Sequence, residues 1–410
     1  MRIMFISPHC LLDSSSGAAL SMTTQLECLA KRGWECRALT GTVFDNRERQ
    51  DLARKFELWS ASRIGMFGGL PVMGVRCNAV EYVMLPFSET RRHFINAYDE
   101  FLFYSIVRKQ LEDWKPDVVY MYGGWLLERS ILRVAKDMGI TTAFYLANNS
   151  YEDPTGFVDV DFTFVLSDFQ VELNRKKLGI EPIAIGVFKD TSSVIAERTY
   201  PEMVTFINPS PEKGVTMFLQ IARLALGRIP ELRFLVVESR TRAEQVARMF
   251  GIDWNDYPNV TFLPQQEDMR TVYGRTKVLL FPSYCEEGGA IVLFEAQANS
   301  IPVLSFDNGP VKEVMAGGGF LFDIPERCRK NFREFPEESE VAPWLECLER
   351  LAHDPDFFAE AESRARVAAF GHDIERLADS LDTILRNRVI EKGDIMSKNG
   401  SSLNTEQRRD

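Results

Sequence analysis

Short, uninterrupted apolar runs, each followed by a stretch of helical pattern, recur along this chain in two series, and that alternation limits the folds open to it. Runs such as Ile3-Met4-Phe5-Ile6 and Val278-Leu279-Leu280-Phe281 have no polar face. Strands of this kind are buried on both sides, as parallel strands beneath helices are. In the first series the runs fall at 2–7, 35–40, 81–85, 117–122, 141–146, 162–166 and 183–187. Helical patterns occupy 20–32, 94–114, 126–138 and 170–178. The second series has strand candidates at 203–208, 233–238, 260–263, 277–281, 301–306 and 319–323, with helices at 215–226, 241–250 and 290–298. Alternating β and α elements predict an α/β protein with one doubly wound parallel sheet per series. The polar segment 190–201, with its Ser, Thr and Pro, reads as the linker.

The 410 residues suit two domains of ordinary size, 1–190 and 200–373. Residues 340–388 are helical in pattern, and the polar stretch 391–410 reads as a disordered tail. Apolar residues make up 45% and charged residues 26%, enough apolar content for two full cores. A formal net charge of −11 argues against a nucleic-acid surface, which needs a basic stripe. It also argues against gross electrostatic docking to anionic membranes, while a local basic patch stays open. The 7 cysteines form no C-x-x-C pair and read as reduced thiols of a cytoplasmic protein. The 4 histidines show no metal-ligand spacing. The chain opens on a strand, so neither a signal peptide nor a membrane-spanning run is expected.

The stretch from Pro282 to Ala296 carries the most chemistry. A strand stopped by Pro282 leads into a loop with Glu287, Gly288 and Gly289, and then into a helix from Ala290 carrying Glu295. The two glycines admit a ligand close to the backbone. The helix start offers free N–H groups and a favourable dipole to an anion such as a phosphate. Eight residues of helix rise about 12 Å, so the two carboxylates could hold hydroxyls at the two ends of a folded nucleotide-sugar.

This stretch resembles the E-x7-E signature of retaining glycosyltransferases, those of family 4 in particular. That family usually has Glu-x-Phe-Gly, four apolar residues and Glu-Ala; here Gly289 stands for the Phe and Ala290 for the Gly. The resemblance covers roughly 1–385 and is strongest over 206–313. It implies the GT-B architecture, two Rossmann-like domains with parallel sheets facing across a cleft. The first would shape the acceptor site and the second bind the donor, with a C-terminal helix, 374–387 and extending to about 390, crossing back to the first. It implies transfer of a sugar, a hexose expected, from a nucleotide-diphosphate sugar to an acceptor hydroxyl with retention. No cofactor and no metal are expected, because cationic side chains and helix N-termini offset the charge of the leaving diphosphate.

Other residues take their roles from the same resemblance. Lys213-Gly214 matches the family's Gly-Arg-Leu-x-x-x-Lys-Gly loop, whose cations clamp the diphosphate, and Asn208 replaces the Arg. Arg240 either supplies the lost cation or is an exposed Arg at a helix start. Gly17 and Ala18 fit the small-residue loop after the first strand, which otherwise reads as a Ser-rich surface loop. Ala147 stands where a His contacts the donor sugar; the neighbouring Asn148 either bonds a sugar hydroxyl or makes a turn. Asn308, Gly309 and Glu313 match a loop and helix bordering the donor. Glu287 and Lys213 are therefore the candidate catalytic pair. Gly17, Asn208, Arg240, Gly288, Gly289, Ala290 and Glu295 complete the donor site with them, and Asn148 is the candidate for the sugar. Glu287 has a second reading as a helix cap. Asp159-Val160-Asp161 spells a metal-binding triplet but precedes its strand, which favours a structural role.

The acceptor class stays open: glycan, lipid, small molecule or protein. The helix over 94–114, with Phe101, Phe103 and Tyr104 beside Arg91, Arg92 and His93, either lies on a membrane surface or packs in the core under a basic cap, the latter being expected. Two rival functions remain. One is a nucleotide-sugar-modifying enzyme such as an epimerase, or a dehydrogenase, although no G-x-G-x-x-G is present. The other is a non-catalytic module that binds nucleotide-sugar.

Overall fold

A computed structural model describes residues 1–45, 48–197, 201–370 and 373–406. The chain divides into two compact units: Met1–Phe188 with the segment from Ile374 onward, and Lys189–Asp373.

The first unit holds β1 (Arg2–His9), β2 (Glu35–Val43), β3 (Ser62–Phe67), β4 (Leu70–Cys77), β5 (Val80–Met84), β6 (Val118–Met121), β7 (Thr141–Tyr145), β8 (Phe162–Val165) and β9 (Ile183–Ala184). Among the described residues they form one sheet in the order β3-β4-β5-β2-β1-β6-β7-β8-β9. From β5 to β9 every pairing is parallel. The apolar runs explain this, since Ile3, Met4, Phe5 and Ile6 are all fully buried. The chain leaves β1 toward β2 on one side and continues from β6 on the other. The carboxyl ends of β1 and β6 therefore flank the point where the strand order reverses, the place where open α/β sheets bind ligands.

Two departures from the sequence reading lie in this sheet. The hairpin of β3 and β4 extends one edge with antiparallel pairing. Its β3 is exposed along almost its whole length, so it has no apolar run to betray it. Its turn is Gly68-Gly69, both left-handed at φ 55° and 82°, a glycine pair suited to a two-residue hairpin loop. At the other edge, β9 has only 2 residues rather than reaching Val187. Gly186 turns the backbone to φ 76°, and a Cβ there would lie 2.9 Å from the Leu377 side chain.

Leu377 belongs to the last helix, Ile374–Glu406, which docks on the first unit. Ala378, Leu381 and Leu385 share one apolar face and are fully buried. Arg32 pairs with Glu375 and Asp379, and the Trp34 ring N–H donates to Asp382 at 2.5 Å. The helix passes the boundary expected at 391. No proline interrupts it before Glu406, and residues 407–410 lie outside the described part.

The second unit holds β10 (Met203–Ile207), β11 (Arg233–Val237), β12 (Val260–Leu263), β13 (Thr276–Phe281), β14 (Val303–Phe306) and β15 (Gly319–Phe322). All pairings are parallel, in the order β12-β11-β10-β13-β14-β15. Here the order reverses between β10 and β13. Phe206 of β10 stacks on Phe218 of the following helix at 4.9 Å, and Phe322 on Trp344 at 4.4 Å, which fixes the helices over one face. Most of the expected linker is ordered against this unit, through Val194 and Ala196; residues 198–200 of it lie outside the described part.

Candidate active site

In the second unit three loops leave the carboxyl edge of the sheet beside the β10–β13 switch point, and they are stitched together. After β10 the backbone turns at Asn208, left-handed at φ 62°. A short 3₁₀ turn, Pro211–Lys213, then leads into Gly214 and the helix Val215–Arg228. Gly214 is left-handed at φ 81°, and a Cβ on it would sit 1.8 Å from the Pro282 carbonyl oxygen. Glycine is therefore required there, and its closeness sets Lys213 against the loop that follows β13. The Glu212 carbonyl also accepts from the N–H groups of Tyr284 and Cys285, at 3.0 and 3.3 Å.

That second loop carries Glu287, whose carboxylate forms an ion pair with Lys213 Nζ. Ser283 Oγ donates to Glu287 Oε1 at 2.5 Å, and Cys285 Sγ to the same oxygen at 3.4 Å. Burial by itself would raise the Glu287 pKa. The Lys213 charge and the hydrogen bonds from Lys213, Ser283 and Cys285 outweigh it, leaving the carboxyl below its ordinary value. The alternative role of Glu287 as a helix cap is overturned. The helix runs Ile291–Ala298, its N-cap is Ala290, and no side chain caps it. Gly288 and Gly289 are buried in the loop, and the left-handed residue is Ala290 at φ 41°. The third loop, after β14, joins through Asn308, which donates to the Ser283 carbonyl at 3.3 Å and accepts from Arg329 at 3.0 Å. Gly309 is left-handed, a Cβ on it would lie 3.4 Å from the Glu286 Cβ, and Glu313 lies in the short helix Val311–Met315.

Glu295 sits in the helix after Ala290, 5% exposed. Lys189 Nζ lies 2.9 Å from its Oε1 and Tyr273 OH donates to its Oε2 at 2.5 Å. Burial first, and then the Glu295 charge, push the Tyr273 phenol well above its ordinary pKa, so it stays a donor. Near the same edge, Asn208 Oδ1 and Ser210 Oγ are buried with no hydrogen-bond partner among the described residues. Buried polar atoms without partners are costly in an apo fold and are natural contacts for an incoming polar ligand. Arg240 is exposed in the turn after β11, on the side of β10 away from β13.

The switch point of the first unit is a cavity of about 640 Å³. Its walls include His9, Ser16 and Ala18 after β1, Asp45 after β2, Trp125 after β6, and Ala147 and Asn148 after β7. Gly17 lies one step further than a loop reading gives, as the first residue of the helix Gly17–Lys31, because Ser16 caps it by accepting from the Ala19 N–H at 3.4 Å. Asp13 holds the loop, accepting from Ser15 and, at 2.8 Å, from the Asp45 N–H. His9 is half-buried, its Nδ1 is buried and has no partner among the described residues, and desolvation lowers its pKa, which favours the neutral imidazole. Asn148 adopts the turn role: its Oδ1 accepts from the Ser150 N–H at 3.0 Å.

The aromatic helix packs in the core, as expected. It runs Ala97–Trp114, burying Leu102, Phe103, Ile106 and Val107, while Phe101 is 62% exposed. Asp161 of the D-x-D triplet is structural, accepting from the Thr142 N–H at 2.9 Å and from Lys392 at 2.8 Å. Asp159 pairs with Arg133 at 2.8 Å.

Sequence reasoning missed Lys189, Tyr273 and Ser283. Ser283 follows the strand within the motif and was legible as a neighbour of Glu287. No spacing rule points from Glu295 to Lys189 or to Tyr273.

The two-unit architecture, each unit a wholly or mostly parallel sheet between helices, is that of GT-B glycosyltransferases. Sucrose-phosphate synthase from Thermosynechococcus elongatus superimposes with a TM-score of 0.68 at 15% identity, covering 95% of this chain and 99% of that one. The HepE protein of Anabaena, solved in complex with UDP and glucose, gives 0.64 at 14% identity, with 94% and 99% covered. Residues 202–333, which hold β10 to β15 and the stitched loops, match the family described as glycosyl transferases group 1. A D-inositol 3-phosphate glycosyltransferase of Gordonia bronchialis is 30% identical over 134 residues. That alignment covers 31% of this chain and about a quarter of the relative's length, 26%.

Proposed function

We propose that the protein is a retaining glycosyltransferase that moves a hexose from a nucleotide-diphosphate sugar to an acceptor hydroxyl, without a metal, and that Glu287 and Glu295 are its E-x7-E pair. The observation that carries this reading is the contact of Lys213 with Glu287 at the switch point of the second unit, inside the segment that matches glycosyl transferases group 1. An ammonium and a carboxylate in contact there can serve the two charges that separate when a glycosyl–phosphate bond breaks. The diphosphate gains negative charge and meets Lys213, the unpartnered Ser210 hydroxyl and the start of the helix Val215–Arg228. The sugar gains positive charge and meets Glu287, kept ionised by its donors. Glu295 takes the ribose. The acceptor hydroxyl attacks from the face that the diphosphate leaves and passes its proton to a diphosphate oxygen. The cavity of the first unit is the acceptor's place. The UDP and glucose in the HepE structure support a nucleoside diphosphate as the leaving group.

A second reading, a module that binds the nucleotide-sugar without turnover, draws on Asn208 and Ala147, which stand where the resembled family has Arg and His. One assay separates the two. The protein is incubated with UDP-, GDP- and ADP-hexoses, and released nucleoside diphosphate is measured. Slow release that disappears in Glu287→Gln supports the transferase. Binding without release from any donor, with or without added hydroxyl acceptors, supports the module.

A further inference from the structure

Glu295 is nearly buried, and both of its partners come from outside the loop that carries Glu287. Lys189 Nζ is 2.9 Å from Oε1, with side chains 13% and 7% exposed. Tyr273 OH donates to Oε2 at 2.5 Å. Lys189 opens the second unit, and the segment it begins is pinned to the same helix one turn further on. There Asn299 accepts from the Ala196 N–H at 2.8 Å and donates to the Val194 carbonyl at 3.1 Å. The carboxylate plane is thus fixed from two directions by donors on different elements. An ionised carboxylate accepts about four hydrogen bonds, two per oxygen. Among the described residues one site on each oxygen is filled, leaving one on each. Two acceptor sites on adjacent oxygens match the two O–H groups of a vicinal diol.

We propose that Lys189, together with Tyr273, is a positioning residue that presents the remaining acceptor sites of Glu295 to the 2′,3′-diol of a ribonucleotide. The proposal rests on the reading of Glu295 as the ribose contact and extends it to the residues that aim it. Without Lys189 the Glu295 carboxylate loses its counter-charge and one of its two anchors. It would then turn toward solvent and offer no fixed pair of sites.

The test is a ratio of affinities, which a purely structural ion pair would leave alone. Calorimetry on the full chain compares ADP, GDP and UDP with their 2′,3′-dideoxy counterparts. The unaltered protein should prefer the ribose form by about ten- to a hundredfold for the base it accepts. In Lys189→Met the ratio should fall to within about threefold, and Lys189→Arg, which keeps the cation, should restore most of it. A preserved ratio in Lys189→Met overturns the proposal, even if the melting temperature drops. Loss of the ratio in Lys189→Arg as well would also overturn it, since any disturbance of the segment would then suffice. Equal binding of both sugar forms by the unaltered protein fails at the earlier step, the ribose role of Glu295, and takes the proposal with it. Should Lys189→Met not fold, Lys189→Gln keeps a donor without the charge, and the same ratio decides.

Discussion

The two sheets reverse their strand order in the same way, yet their switch points are furnished differently. In the first unit the helix that follows β1 is capped by Ser16, so one of its leading N–H groups is already spent within the protein. In the second unit the helices that follow β10 and β13 start at Gly214 and Ala290, both left-handed, with no side-chain cap on either. Among the described residues Val215 N–H still donates to the Ser210 carbonyl at 3.3 Å and Leu293 N–H to the Ala290 carbonyl at 2.8 Å, and the other leading N–H groups are left for water or a ligand. The second switch point also brings Lys213 to the same place, whereas the first offers a neutral His9, an exposed Trp125 and turn-bound Asn148. A diphosphate needs donors that are not already satisfied, and the second unit supplies them. A neutral polyol or an aromatic group needs walls and a few polar atoms, and the first unit supplies those.

The largest effect that could break this contrast lies at Glu287. Glu287→Gln keeps the size and the Ser283 contact but removes the charge. Turnover should fall by about 100-fold or more, while the nucleoside diphosphate dissociation constant changes little. Steady-state rates beside calorimetry on the same preparation check it. Near-normal turnover would leave the second unit as a binding platform only.

Next in size is Lys213→Ala, which strips the counter-charge from a buried carboxylate. Nucleoside diphosphate binding should weaken by about 1.5–3 kcal/mol, with binding of the bare nucleoside nearly unchanged. The variant also carries a pH signature. In the unaltered protein the Glu287 pKa is below its unfolded value. Its contribution to stability is therefore present above the unfolded pKa and is lost as pH falls through the folded one. Without Lys213 burial dominates, the folded pKa rises above the unfolded value, and the buried charge is a cost at neutral pH that protonation removes. The melting-temperature deficit of Lys213→Ala should be large at pH 7 and shrink toward pH 4. A constant deficit across that range would mean the ion pair does not govern Glu287.

Much of this was legible in the sequence, for reasons that can be named. The parallel strands announced themselves because burial on both faces leaves uninterrupted apolar runs, as at residues 3–6 in β1 and residues 278–281 in β13. The β3–β4 hairpin stayed hidden because an exposed edge strand needs no apolar run. The motif loop was legible as a site, but the spacing of Glu287 and Glu295 says nothing of what holds each one. Lys213 and Glu287 meet only because Gly214 lets two loops 74 residues apart close to van der Waals distance. Arg240 was weighed as a replacement cation; its exposed turn lies beyond β10 from the Glu287 loop, which sequence order alone does not reveal.

The first unit is tested at Trp125, 45% exposed on the wall of its cavity. Trp125→Ala should leave donor hydrolysis within about twofold and weaken use of the acceptor by about three- to tenfold. A drop in donor hydrolysis as large as the drop in transfer would erase the division of labour between the units.

The smallest effect concerns the two kinds of helix start. Ser16→Ala removes a cap and should cost the first unit about 1 kcal/mol. Ala290→Gly should act in the opposite direction. An alanine held left-handed at φ 41° carries a conformational penalty of about 1–2 kcal/mol that glycine escapes. Glycine gives back about 0.4–1 kcal/mol through the greater freedom of the unfolded chain. The net should be a gain near 0.5 kcal/mol, visible as a small upward shift in the denaturation midpoint. If the helix N-terminus after Ala290 also serves the donor, Ala290→Gly should keep nucleoside diphosphate affinity, because the N–H groups stay where they are. Loss of affinity with a stability gain would mean that the methyl group of Ala290, rather than the backbone, shapes the donor site.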